Sequence, residues 1–284
     1  MASLSITEDS IPSLEGKAAL ITGGSSGIGH AAALILLSKG ATVHILDTNP
    51  PPEPKPDKLN FHSCNITSRS SLLSIFTSIG AVDYVFANAG VSESTNYFVD
   101  TFDSNGGRKS RATMSLMSTY VAEGSIVVTS SATAYAPEQS LPVYAAGKSA
   151  LIGLIRSLRS VIMQDSITIN GVAPAATVTS LLPPHLAAPI MAAGLPVSTA
   201  HFVGLALLYS ATATQARKVE VYGKEEDKDL YREERWNCRV TLTLGDSYTE
   251  LEEGISDLRP WWFGRGNLGC TRMQKTATDC RESS

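Results

Sequence analysis

One octapeptide, Thr22-Gly23-Gly24-Ser25-Ser26-Gly27-Ile28-Gly29, constrains this chain more than any other stretch. It stands between an apolar run, residues 17–22, and a segment that places Ile28, Ala31, Ala32, Ile35 and Leu36 at helical spacing. Gly40 follows as a helix stop. A strand that enters a helix through such a turn needs residues without Cβ, because the backbone must fold tightly and be approached closely. The helix start beyond it offers unpaired N–H groups and a favourable dipole to an anion, so the turn suits a pyrophosphate. Gly23, Ser25, Ser26 and Ile28 are the candidate contacts. Alone, the turn is equally a plain connection between strand and helix.

The next strand, residues 41–46, ends at Asp47. A carboxylate there can accept hydrogen bonds from adenosine ribose hydroxyls and would repel a 2′-phosphate. No Arg or Lys stands in the turn or directly after Asp47. The residues therefore favour NAD over NADP.

Further strands are expected at residues 60–64, 82–87, 125–129, 167–172 and, last, 240–244. Helices are expected at 70–79, 112–122, 143–163 and 199–211. Strands alternating with helices argue for an α/β fold of the Rossmann type, a doubly wound parallel sheet in a single domain. Residues 1–15 read as an N-terminal arm, 16–250 as the dinucleotide-binding catalytic domain and 251–284 as a tail. The proline-rich stretch 49–58 must be a loop. Residues 181–196 look irregular, residues 218–235 look like a solvated charged insertion (218–236 at its widest), and Trp261, Trp262 and Phe263 look like a packing anchor.

Tyr144 and Lys148 lie one helical turn apart on one face. A phenol titrates near 10, and a neighbouring ammonium should lower that value until tyrosine exchanges protons near neutral pH. Such a spacing is short and often incidental. Ser131, thirteen residues earlier at the end of an expected strand, could steady a substrate oxygen. Its neighbour Ser130 is the alternative.

These elements, in this order, resemble the short-chain dehydrogenase/reductase family over roughly residues 16–246. The matching parts are the glycine turn, Asp47, Asn65-Ile66, Asn88-Ala89-Gly90, Ser131, Tyr144 with Lys148, and the run from Pro174 to Thr179. The resemblance implies that Asn65 and Ile66 hold the adenine. It implies that Asn88 and Gly90 line the adenosine side and support the sheet. Lys148 would also hold the nicotinamide ribose, and Val178 and Thr179 would contact the carboxamide. It places a substrate lid at residues 181–197 and implies a small apolar alcohol or ketone as substrate. The later half is similar to fungal members of secondary metabolism. A homo-oligomer is compatible with the family.

Three departures stand out. Ala175 replaces the family's glycine after Pro174. Residues 91–124 are short, with Asn96 and Asn105 the sole candidates for a helix-borne asparagine. The charged insertion is the third. Two alternatives stand beside this reading: an NADPH-dependent ketoreductase, and a non-catalytic dinucleotide-binding protein, to which the shortened 91–124 segment gives support.

The net charge of −4 gives nucleic acid no basic footprint. Cys64, Cys238, Cys270 and Cys280 show no ligand spacing with histidine, so no metal is expected, and they read as reduced thiols of a cytoplasmic protein, with a Cys270–Cys280 bridge left open. The apolar stretch 181–208 is broken by four prolines, so no membrane span is expected.

Overall fold

The computed structural model describes residues 2–91 and 121–279. A short strand, β1 (Ala2–Leu4), precedes β2 (Ala18–Thr22), whose Ala19 to Thr22 are all buried. The glycine turn delivers the chain into α1 (Gly27–Ser38). Then follow β3 (Thr42–Asp47), β4 (Leu59–Ser63), α2 (Arg69–Ile79), β5 (Val82–Ala87) and β6 (Val121–Thr129). Beyond them come α3 (Pro142–Leu158), β7 (Thr168–Pro174), α4 (Pro184–Ala192), α5 (Ala200–Thr212) and two short paired strands, β8 (Thr214–Gln215) and β9 (Glu234–Arg235). The chain ends with β10 (Val240–Leu244), β11 (Ser247–Glu250), α6 (Glu252–Asp257) and α7 (Arg265–Thr278).

The main sheet has nine strands in the order β1-β11-β10-β7-β6-β5-β2-β3-β4. From β10 to β4 every pairing is parallel. Parallel strands must be covered on both faces, which is why β7 is buried at every residue. α1 and α5 cover one face, around Ile21, Leu36, Val43, Leu207 and Leu208. α2 covers the other with Leu72 and Phe76 against Leu20, Leu46 and Val85, and α3 with Ile152 and Ile155 against Ile169 and Val240. α5 approaches α1 closely because a Cβ on Gly204 would already stand 3.2 Å from the Ala32 backbone nitrogen. This is the doubly wound α/β architecture that the sequence implies.

The chain runs outward from β2 to β3 and β4, then returns to the other side of β2 with β5. The crevice between β2 and β5 is therefore the switch point where ligands of such sheets bind. Asn88 stitches it shut behind the site. Its Nδ2 donates to the carbonyls of Thr22 and Gly23, both at 3.3 Å, and its Oδ1 accepts from Thr129 Oγ1 at 3.1 Å.

Several expectations need correction. β10 is not the last strand: β11 folds back on it antiparallel, and β1 pairs with β11, so the N-terminus closes the edge. Val121 and Ala122 belong to β6 rather than to a helix, while residues 112–120 lie outside the described ones. α3 stops at Leu158, with Asn237 Nδ2 donating to the Arg159 carbonyl at 3.0 Å in place of a further helical turn. Residues 181–196 contain a helix, because a proline in the first turn, Pro184, has no N–H to satisfy. Residues 252–278 are largely helical.

The aromatic trio is not an anchor. Trp261 and Trp262 are 74% and 62% exposed. The charged insertion is not simply solvated either. Val219 is buried, and Glu220 is held between Arg159 (2.5 Å) and Arg259. Charges far apart in sequence find each other there.

Replacing Asn88 by Ala would leave the buried Thr129 hydroxyl and two carbonyls without their partner. The expected cost is about 1–3 kcal/mol of unfolding free energy, read from urea denaturation.

Candidate active site

At the glycine turn the backbone is packed to its limit. A Cβ on Gly29 would stand 2.2 Å from the Gly23 carbonyl oxygen and 2.6 Å from Asn88 Nδ2, and one on Gly24 would stand 2.4 Å from Ile45 Cγ2. Gly23 and Gly27 adopt positive φ, +68° and +52°. Asp47 Oδ2 accepts the Ser25 N–H at 3.1 Å, and Oδ1 accepts the Asn49 N–H at 3.2 Å. The carboxylate thus braces the turn and keeps lone pairs for other donors.

Two observations fit a dinucleotide here. Ser25 Oγ is buried without a hydrogen-bond partner. The Ser26 side chain makes no capping bond, so it leaves the first turn of α1 open to an anion. The residues present fit the group: Gly23, Ser25, Ser26 and Ile28 would cradle the pyrophosphate, with Asp47 beside the ribose. Thr179 reaches the same turn from the loop after β7. A Cβ on Gly27 would meet its Cβ and Cγ2 at 3.2 Å.

Tyr144 and Lys148 lie on α3, whose start is set by Pro142 in the first turn. Ser131 caps the 3-10 turn Ala132–Ala134 that follows β6, and its Oγ accepts from Thr133 N at 3.2 Å and Thr133 Oγ1 at 3.0 Å. The Ser131 hydroxyl also hydrogen-bonds the Tyr144 phenol. Ser130 does not share that position: its Oγ donates to the Lys148 carbonyl at 3.0 Å. Lys148 Nζ lies 5.5 Å from the centre of the Tyr144 ring and donates to the Thr129 carbonyl at 2.8 Å. Gly90 adjoins it, since a Cβ there would stand 3.7 Å from Nζ.

The electrostatics differ from the expectation drawn from spacing. Burial raises the Tyr144 phenol above its ordinary value, only partly offset by the Ser131 hydrogen bond. Burial also pulls Lys148 down to about 8. The ammonium does not lower the phenol in this state, because it is turned to the Thr129 carbonyl. A low-dielectric pocket disfavours both charges.

Asn65 is exposed, and its Oδ1 accepts from Thr67 N at 3.0 Å and Thr67 Oγ1 at 2.9 Å, a local turn bond. Ile66 packs against the cluster around Leu46 and Phe76. Neither contacts the glycine turn through these bonds. Val178 donates its N–H to the Ser198 carbonyl at 3.1 Å. Asn96 and Asn105 lie outside the described residues.

Sequence reading missed Thr22 and Thr129. Thr22 Oγ1 accepts the N–H groups of Asn88 and Ala89, both at 3.1 Å, and the Thr129 carbonyl holds Lys148. Each sits at the carboxyl end of a strand beside a residue already singled out, which was the available signal. Among the described residues no helix is long and apolar enough to cross a membrane, and no group of three His, Cys, Asp or Glu could hold a metal. Cys64 and Cys238 are buried thiols and Cys270 an exposed one, while Cys280 lies outside the described residues.

Comparison with known proteins agrees with this layout. The family model for short chain dehydrogenases matches residues 17–187. The short-chain dehydrogenase/reductase prx4 of Penicillium rubens is 50% identical over 299 aligned positions, covering 99% of this chain and 90% of that protein. The short-chain dehydrogenase/reductase ATR7 of Stachybotrys chlorohalonatus is 45% identical over 306, covering 99% and 95%. Both alignments are longer than the 284 residues here, so both relatives carry residues that this chain lacks. Among solved structures, a 3-ketoacyl-(acyl-carrier-protein) reductase of Brucella melitensis, complexed with NADH, shares the fold at TM-score 0.54 and 20% identity, covering 70% of this chain and 92% of its own. The chain belongs to the short-chain dehydrogenase/reductase family, whose members are nicotinamide-dinucleotide oxidoreductases.

Proposed function

We propose that this protein is an NAD-dependent oxidoreductase that interconverts a secondary alcohol and a ketone on a small apolar molecule, in the making of a fungal secondary metabolite. The observation that carries the reading is the junction of Ser131, Tyr144 and Lys148 beside a turn that leaves no room for a Cβ at Gly24 or Gly29.

When bound, the nicotinamide supplies the acceptor or donor of a hydride. The chain's own residues handle the proton and the charge. In oxidation Tyr144, as phenolate, takes the hydroxyl proton of the substrate. Ser131 holds the oxygen as charge changes on it. Lys148, one helical turn away and 5.5 Å from the centre of the Tyr144 ring, would favour phenolate by its charge and would hold the nicotinamide ribose. In reduction the same phenol returns the proton.

The Asp47 carboxylate, already fixed to the turn by Ser25, supports NAD over NADP through repulsion of a 2′-phosphate. Asn65, Ile66, Asn88, Gly90, Val178 and Thr179 remain the proposed lining of the dinucleotide groove. Residues 181–197 are the proposed lid, and the exposed Leu181, Leu186, Met191 and Leu195 on it support an apolar substrate. A non-catalytic dinucleotide-binding protein is the second reading, favoured by the residues that both fungal relatives have and this chain lacks. We also place the protein in the cytoplasm, and a homo-oligomer fits the family.

Tyr144→Phe is expected to lower turnover by about 10²–10⁴-fold while leaving NADH binding intact, measured by reduced-cofactor absorbance and by fluorescence titration. Full residual turnover contradicts the mechanism. NADH binding by the wild-type protein without turnover across a panel of secondary alcohols and ketones would favour the non-catalytic reading.

A second expectation concerns pH. Lys148 titrates near 8 in the folded protein and near its ordinary 10.5 when unfolded. Between those values the unfolded chain binds more protons, so the stability of the ligand-free protein rises with pH through that window. It falls as pH drops from 10.5 towards about 8 and levels off below that. Relative to Lys148→Met, wild type should gain roughly 1–3 kcal/mol between pH 7.5 and pH 10, read from paired urea titrations.

A further inference from the structure

Outside the residues matched by the family model, one buried carboxylate touches both elements that carry the proposed chemistry. Glu252 begins α6 with its side chain only 2% exposed. Its Oε1 accepts the Tyr135 hydroxyl at 2.5 Å and Arg156 Nη2 at 2.9 Å, and its Oε2 accepts Arg156 Nε at 2.6 Å. Tyr135 closes the 3-10 turn that Ser131 opens. Arg156 lies two helical turns beyond Lys148 on α3, the helix of Tyr144.

We propose that Glu252 is a positioning residue: it clamps the Ser131 turn to the Tyr144 helix and so fixes the Ser131–Tyr144 hydrogen bond. The inference rests on the reading of Ser131 and Tyr144 as the proposed catalytic pair.

The geometry shows why this carboxylate matters more than ordinary packing. Near the site, the two elements are joined by Ser130 Oγ to the Lys148 carbonyl, at 3.0 Å, and by Ser149 Oγ to the Ala134 carbonyl, at 3.2 Å. These neutral bonds tie the two ends of the turn to neighbouring residues of α3. Glu252 adds a tie of another kind at Tyr135, with charge-assisted bonds of short length and a bidentate arginine that sets orientation as well as distance. Three bonds to one buried anion cannot lengthen independently.

The anion is itself anchored. Its backbone N–H donates to Glu250 Oε1 at 2.9 Å, and Arg239 binds Glu250 at 3.4 Å and Glu253 at 2.7 Å. The clamp is therefore fastened to the β10–β11 hairpin, a part of the sheet remote from the glycine turn. Burial and the adjacent Glu252 carboxylate push the Tyr135 phenol far above its ordinary value, so it stays a donor at every working pH.

Ser131 lowers the Tyr144 value by its hydrogen bond. Loosening the turn should therefore show at Tyr144 itself, and that separates positioning from mere stability. Tyr135→Phe cuts one bond and keeps the ring and the Arg156–Glu252 pair. Glu252→Gln keeps the shape and removes the charge, which guards against a variant that fails to fold.

The test is a titration of the full-length protein labelled with ¹³Cζ-tyrosine. Tyr144→Phe assigns the resonance, and kcat and KM are measured in parallel. Both clamp variants should raise the Tyr144 titration by about one pH unit. They should lower kcat by about tenfold to a hundredfold, with KM for NAD little changed. A lowered melting temperature with the Tyr144 titration and kcat both unmoved would overturn the proposal. Wild type without turnover would instead count against the proposed function, and the tyrosine titration alone would then decide the clamp.

Discussion

The structure depends on one steric constraint: the backbone after β2 must lie against the ends of β3 and β5 with no room for a side chain. Gly24 against Ile45 and Gly29 against Gly23 and Asn88 leave less than 3 Å for a Cβ. That closeness aims α1 at the crevice and puts the Ser25 N–H on Asp47. It also lets Asn88 tie β2, β5 and β6 together at their carboxyl ends. A bulkier turn would loosen the sheet and fill the space that a phosphate needs. Fold and site share one packing solution, which is why the family relationship covers the turn and the sheet behind it.

The other half of the crevice is built on burial of charge. Lys148 and Tyr144 sit where low dielectric works against both ionised forms, and Lys148 meets this by donating to the Thr129 carbonyl. A site of this kind is a local cost to stability in exchange for groups whose protonation responds to what enters. The C-terminal segment carries a set of ion pairs built on the buried carboxylates of Glu250 and Glu252. Arg239, Glu250, Arg156 and Glu252 hold β11 and α6 to the sheet and to α3. Such pairs contribute specificity of arrangement more than net stability.

Much of this could be read from residues alone. β2, α1, β5 and β10 follow from apolar runs, helical spacing and glycine stops, and β5 and β10 begin and end where the pattern places them. Ser131 was singled out by spacing, and the structure puts its hydroxyl, not that of Ser130, on Tyr144. The missed features share a cause. β1 and β11 are short, and they pair residues some 250 positions apart in sequence, which no local period records. Glu220 reads as part of a solvated insertion, and Glu250 and Glu252 carry no local signal, because their arginine partners lie in other segments. The aromatic trio at 261–263 reads as a packing anchor because aromatics bury large apolar area, yet it stands exposed on a single helical turn, Pro260–Gly264. Spacing alone places Lys148 near the phenol without saying where its ammonium points or how deeply both groups are buried, and burial raises Tyr144.

In the function proposed above, the carboxylate at the end of β3, fixed to the glycine turn, decides which dinucleotide the crevice accepts. Calorimetric titration of the wild-type protein with NADH and with NADPH tests it most directly. NADH should bind at least about tenfold more tightly, a difference of about 1.4 kcal/mol. Equal affinities, or tighter binding of NADPH, would contradict the account.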